Sequence, residues 1–228
     1  KADIISSDPT LWRYRKALPV AESAEVITLG EGMTPLVQTK LGGLLCKADS
    51  LLPTGSFKDR GAALVINYLK QQGIKKIIED SSGNAAASYA AYCAAAGIDC
   101  HIFTPAGASM GKLVQAHLYG AKITKVEGTR EAVTLAAREE AEKQAGIALH
   151  AGHNQHPLFP EGCKTMAYEI WEQLGWCAPD NIVVPFGAGS SMLGLYKGFC
   201  ELLSVGEISR MPRVFVVQAH SCNPLYAA

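Results

Sequence analysis

Ser56-Phe57-Lys58-Asp59-Arg60-Gly61 sets a lysine between the turn residues Pro53-Thr54-Gly55 and a helical pattern expected over residues 59–72. A lysine amine is a nucleophile only after it sheds its proton. The positive end of a helix dipole, partial burial beside Phe57 and the neighbouring cation Arg60 all favour the neutral form. An amine in that state can hold a carbonyl cofactor as an imine; the alternative is a solvated lysine in a first helical turn.

Outward from this segment the chain alternates helix and strand patterns. Helices are expected over 59–72, 84–96, 109–119, 130–145, 161–174 and 192–203, and Gly73, Gly97, Gly120 and Gly146 stop four of them. Apolar strands are expected over 76–79, 100–103, 122–126, 148–150, 182–186 and 214–218. This alternation specifies an α/β fold with mostly parallel sheet, in which ligands bind beyond the carboxyl ends of the strands. The section before Lys58 is less regular, with a hairpin expected around Gly42-Gly43; Asn223-Pro224 reads as the entry to another helix.

The chain has 228 residues, enough for one large or two small domains, and 21 basic side chains balance 21 acidic ones. With no net charge there is no electrostatic case for nucleic acid or an anionic membrane as partner, so an anionic ligand must be gripped locally. The seven cysteines form no C-x-x-C pair and are odd in number, which argues against a disulfide framework and for a reducing, cytoplasmic setting. No apolar run reaches membrane-spanning length, and no secretory signal is evident.

Two further motifs fall where strands lead into helices. Ser81-Ser82-Gly83-Asn84 precedes an Ala-rich helix; open backbone N–H groups and small hydroxyls there suit a carboxylate, while ordinary N-capping is the simpler alternative. Gly187-Ala188-Gly189-Ser190-Ser191 follows a strand, and its glycines and serines suit a phosphate monoester. A dinucleotide-binding reading of Gly187-x-Gly189, with Glu207 as the ribose acid, is weakened by Met192 in place of a third glycine. His150, His153 and His156 are spaced for a metal only on a helix, and Gly152 and Pro157 favour a loop instead, so no metal site is assigned. A nucleophilic lysine, a carboxylate turn and a phosphate loop together are what pyridoxal phosphate chemistry on an amino acid requires.

These segments resemble the fold-type II pyridoxal phosphate enzymes, and within them the threonine synthase family. The resemblance rests on Glu31-Gly32-Met33-Thr34-Pro35, on 53–61, on 81–84, on the Gly187 loop, and on Glu161-Gly162-Cys163-Lys164-Thr165, which with Asp59-Arg60 favours threonine synthase over dehydratases. It implies pyridoxal 5'-phosphate on Lys58, Phe57 beside it, Asn84 on the cofactor's phenolic oxygen, and Gly187, Ala188, Gly189, Ser190 and Ser191 around its phosphate. Ser81, Ser82 and Gly83 would take the substrate carboxylate, with Asn154 facing the substrate. The implied reaction converts O-phosphohomoserine and water to threonine and phosphate; threonine or serine dehydratase and cysteate synthase are the alternatives within the class. The implied domains are a large one, 1–79 with 149–228, and a smaller mobile one, 80–148. Leu52 and Ala188 stand where the family commonly has Asn. The residue meeting the pyridine nitrogen is expected beyond Ala228, so the chain is expected to lack a C-terminal part. The assembly is left open, a homodimer among the options.

Overall fold

The computed structural model describes residues 1–108 and 110–227; Ser109, where the third helix was expected to begin, and Ala228 lie outside them. Strands β1 (Leu36–Gln38) and β2 (Leu45–Lys47) form the expected antiparallel hairpin, with Val37 opposite Cys46. Four strands, β3 (Lys76–Asp80), β4 (Asp99–Pro105), β5 (Lys122–Val126) and β6 (Leu149–His150), form a parallel sheet in the order β5-β4-β3-β6. A second parallel pair joins β7 (Asn181–Pro185) to β8 (Arg213–Val217). The domain boundaries expected at 80 and 148 fall at the end of β3 and just before β6, strands that complete the sheet of β4 and β5.

The helices are α1 (Lys58–Gln71), α2 (Asn84–Ala96), α3 (Met110–Leu118), α4 (Arg130–Lys143), α5 (Leu158–Cys163), α6 (Thr165–Gln173), α7 (Ser190–Ser204) and the short α8 (Pro224–Ala227). Gly97 ends α2 in the left-handed conformation at φ 67°, as its position in the sequence requires. The single helix expected over 161–174 is instead two. Thr165 Oγ1 donates to the Gly162 carbonyl at 2.8 Å, and Ala167 N–H turns to the Lys164 carbonyl three residues back, so the ladder is interrupted at Lys164. α7 begins two residues earlier than expected, which makes Ser190 and Ser191 first-turn residues rather than loop.

α1 is buried along most of its length, with Leu64, Val65, Ile66 and Leu69 in a core shared with Trp12, Tyr89, Tyr92 and Phe159. Each of those aliphatic side chains contributes about 1.5–3 kcal/mol by leaving water. Glycines bring α1, α5 and α7 into close contact. A Cβ on Gly162 would sit 2.1 Å from the Arg60 carbonyl, and one on Gly194 would sit 2.4 Å from the Cβ of Cys163. These close approaches let the start of α7 reach the start of α1.

Candidate active site

Lys58 opens α1, and Ser190 opens α7. Lys58 Nζ lies 3.3 Å from Ser190 Oγ, 4.6 Å from the Phe57 ring centroid and 5.4 Å from that of Phe159. Burial depresses the Lys58 ammonium below its usual range, against the weaker pull of Glu79. The Cys163 thiol is itself pushed up to about 12 by burial, against Lys58 and Arg60, and so stays protonated.

The expected contribution of Arg60 is not seen. Its guanidinium is fully buried and turned to other partners: Glu169 Oε2 at 2.9 Å, Asp49 Oδ1 at 2.8 Å, and the hydroxyls of Thr34 and Thr165 at 3.2 Å. Lys47 reaches the same Glu169 carboxylate at 2.6 Å. Sequence adjacency suggested a cation beside the amine, but residues 58 and 60 are about 200° apart around a helix, so Arg60 points into the core. Asp59 likewise braces the segment, accepting from Thr54 N (2.7 Å), Thr54 Oγ1 (2.6 Å) and Ser88 Oγ (2.6 Å), the last tying α1 to α2.

The glycine loop turns into α7 through Gly189, whose φ of 90° needs glycine and whose added Cβ would lie 3.1 Å from the Phe186 ring. Among the described residues no side chain caps α7, which leaves its first amides for a ligand. Gly187 and Ala188 are exposed at the mouth of this loop. α2 also starts without a side-chain cap, against the simple capping alternative; Ser81 Oγ instead accepts from Gly83 N–H at 3.3 Å. Asn84 is exposed at that helix start with Ser82 and Gly83 partly exposed before it, and Asn154 is exposed on the turn leading towards α5.

The histidines do not converge. His150 Nε2 meets Asp80 Oδ1 at 3.0 Å, while His153 Nδ1 meets Glu79 Oε1 at 2.6 Å with its backbone N–H on Oε2 at 3.1 Å. Burial works against the Asp80 carboxylate, but His150, Thr134 and Arg130 hold it down at about 2. Glu207, the acid of the dinucleotide alternative, precedes β8 instead of following it, at the wrong end of the strand for a ribose.

Residues that the sequence reading passed over also surround the lysine. Phe159 stacks on Tyr89 at 6.1 Å and meets His153 edge-on at 5.7 Å. Its signal was Gly61, where a Cβ would fall 2.6 Å from the Phe159 ring. The surface clefts lined by Lys76, Cys93 and Lys122, by Leu36 and Val183, and by Ile4 and Trp171 contain none of these residues, so the site is identified by its chemistry and not by depth.

A family model described as pyridoxal-phosphate dependent enzyme matches residues 27–228. The chain is 35% identical over 226 residues to a threonine synthase of Methanocaldococcus jannaschii, covering 96% of this chain and 55% of that protein. It is 38% identical over 219 residues to a threonine synthase of Mycobacterium tuberculosis, covering 93% and 60%. The chain thus spans 55–60% of the length of these curated relatives. A crystal structure of a T.th. threonine deaminase is similar with a TM-score of 0.70 at 28% identity, covering 84% of this chain and 61% of that one. O-ureido-L-serine synthase shares the fold at a TM-score of 0.73 and 24% identity, covering 86% and 63%.

Proposed function

The chain belongs to the pyridoxal-phosphate dependent enzyme family and has the fold-type II architecture, and from that premise we propose that it is the lysine-bearing part of a threonine synthase acting on O-phosphohomoserine and water. The observation that carries the reading is the meeting of Lys58 Nζ with Ser190 Oγ at the uncapped start of α7. This fits the cofactor, because one surface offers an amine with a depressed pKa for its aldehyde and open helix amides for its phosphate. Similarity to threonine synthases at 35–38% identity supports the substrate.

Bound there, pyridoxal 5'-phosphate supplies an electron sink for the substrate α carbon. Gly187, Ala188, Gly189, Ser190 and Ser191 would hold the phosphate, and Phe57 and Phe159 would keep water from the Lys58 amine. Asn84 would donate to the cofactor's phenolic oxygen. Ser81, Ser82 and Gly83 orient the substrate carboxylate, and Asn154 faces the substrate. The Lys58 amine would take the proton from the substrate α carbon and then move one at the β carbon. Because β3 and β6 pair in the same sheet as β4 and β5, the smaller unit that closes on substrate extends from β3 to β6, just beyond the expected bounds 80 and 148.

Borohydride reduction of the protein with pyridoxal 5'-phosphate, followed by peptide mass mapping, tests the lysine: a pyridoxyl adduct on Lys58 is expected, and a protein that forms none refutes the reading. Phosphate release from O-phosphohomoserine tests the substrate. Keto acid formed from threonine or serine would favour a dehydratase, the second reading, which the similarity to threonine deaminase supports.

A further inference from the structure

Near its end β3 carries a buried carboxylate that the proposed catalysis does not use. Glu79 is 0% exposed and accepts twice from one residue of the turn after β6: His153 Nδ1 lies 2.6 Å from Oε1, and the His153 backbone N–H donates to Oε2 at 3.1 Å. A carboxylate only accepts, so the proton of the neutral ring sits on Nδ1 and Nε2 keeps its lone pair. His153 Nε2 has no partner among the described residues and is not a buried atom, so the 10% of this side chain that is exposed includes it.

The pair borders the lysine. Phe159 has Lys58 Nζ 5.4 Å from its ring centroid and the His153 ring edge-on at 5.7 Å. Glu79 points to the same face of β3 as Ile77, the face that packs on α1 and α2. Tyr89 and Cys93 of α2 and Cys163 of α5 share this interior, and burial pushes each of them up, so they stay protonated. Cys100 of β4 adds another thiol. Asp59 and Glu31 are taken up by hydroxyl and indole donors, and Asp80 with His150 lies on the opposite face of β3. Glu79 therefore opposes the desolvation that strips Lys58 of its proton.

We propose that the Glu79–His153 pair is the counter-charge that sets the protonation of Lys58, with His153 keeping the carboxylate ionised and bringing the pair to zero net charge when Nε2 takes a proton. Both are positioning residues, acting on the amine through the buried interior. The role rests on Lys58 being the attachment lysine of the proposed function, yet it is measurable without the cofactor.

The test is reductive methylation of the cofactor-free full chain with formaldehyde and cyanoborohydride across a pH series, with Lys58 followed by peptide mass spectrometry, since only the neutral amine reacts. E79Q should lower the pH midpoint at Lys58 by roughly one unit, the scale of losing one charge across a partly shielded interior. H153A, which strips Glu79 of its ring donor and lets the carboxylate take up a proton, should lower the midpoint too. H153Q, whose amide can donate to the same oxygen, should restore it. D80N, altered on the other face of β3, should leave it where it is. A pair that only braced the turn would lower the melting temperature in E79Q and H153A without moving the midpoint. The role is refuted if E79Q or H153A keeps the parent midpoint, or if D80N shifts it as far as they do. If pyridoxal 5'-phosphate forms no adduct on the parent Lys58, the cofactor reading fails while the methylation midpoints still decide this one.

Discussion

Lys58 Nζ and Ser190 Oγ, 132 residues apart in the chain, lie 3.3 Å from one another. The contact joins the start of α1 to the start of α7, so the attachment point proposed for the cofactor aldehyde and the loop proposed for its phosphate are built on the same surface. Lys58→Ala should abolish the pyridoxyl adduct and lower turnover by about a thousandfold or more, the scale of losing both nucleophile and base. Ser190→Ala should leave the Lys58 adduct intact and weaken cofactor affinity about tenfold, the scale of one hydrogen bond to a charged group. A cofactor titration followed by visible absorbance separates the two outcomes.

Arg60 is the core's electrostatic anchor. Arg60→Met leaves Glu169 buried with only Lys47 for company, and urea unfolding should report a loss of about 3–5 kcal/mol. Arg60→Lys should recover only part of it, because an ammonium cannot reproduce the forked contacts to Glu169 and Asp49.

Acid should destabilise the protein through two carboxylates. Burial opposes ionisation of Glu169, but Arg60 and Lys47 hold its carboxyl at about 2; Asp80 is held at about 2 by His150, Thr134 and Arg130. Both folded values lie below the unfolded ones, so the stabilisation is complete above about pH 5 and fades as pH falls towards 2. Each contributes at most about 2–3 kcal/mol. Urea midpoints measured between pH 7 and pH 3 should fall in this window, and Asp80→Asn should flatten its own share of the slope.

Gly162→Ala and Gly194→Ala should each cost about 1–3 kcal/mol, since the new methyl meets backbone or Cβ atoms that cannot swing aside. Because these glycines set the α1–α5–α7 spacing, both variants should also lower cofactor affinity. Thermal melts and the same absorbance titration would show the two effects moving together.

The alternation of glycine-stopped helices and apolar strands made the parallel sheets readable, and α2 and β5 begin and end where their patterns do. The lysine and the glycine loop were readable as chemistry because each carries a local signature. Arg60 was misread because nearness in sequence was taken for nearness in space, whereas a two-residue step on a helix turns the side chain away. The break at Lys164 depends on one hydroxyl, that of Thr165, capturing a carbonyl, a choice hydrophobic periodicity does not encode. Phe159 and the Glu79–His153 pair escaped notice because their partners lie far off in the chain, on α1, α2 and β3.

Consecutive strand residues point to opposite faces, and β3 ends on two acids, Glu79 and Asp80, that grip His153 and His150. The segment 150–153 is therefore riveted to the sheet from both sides, and Gln155 and His156 fold back onto the Gly152 carbonyl. Mechanically, the turn carrying Asn154 is the sheet's cargo, and its distance from the lysine on α1 is set by how α1 packs against β3 and α2.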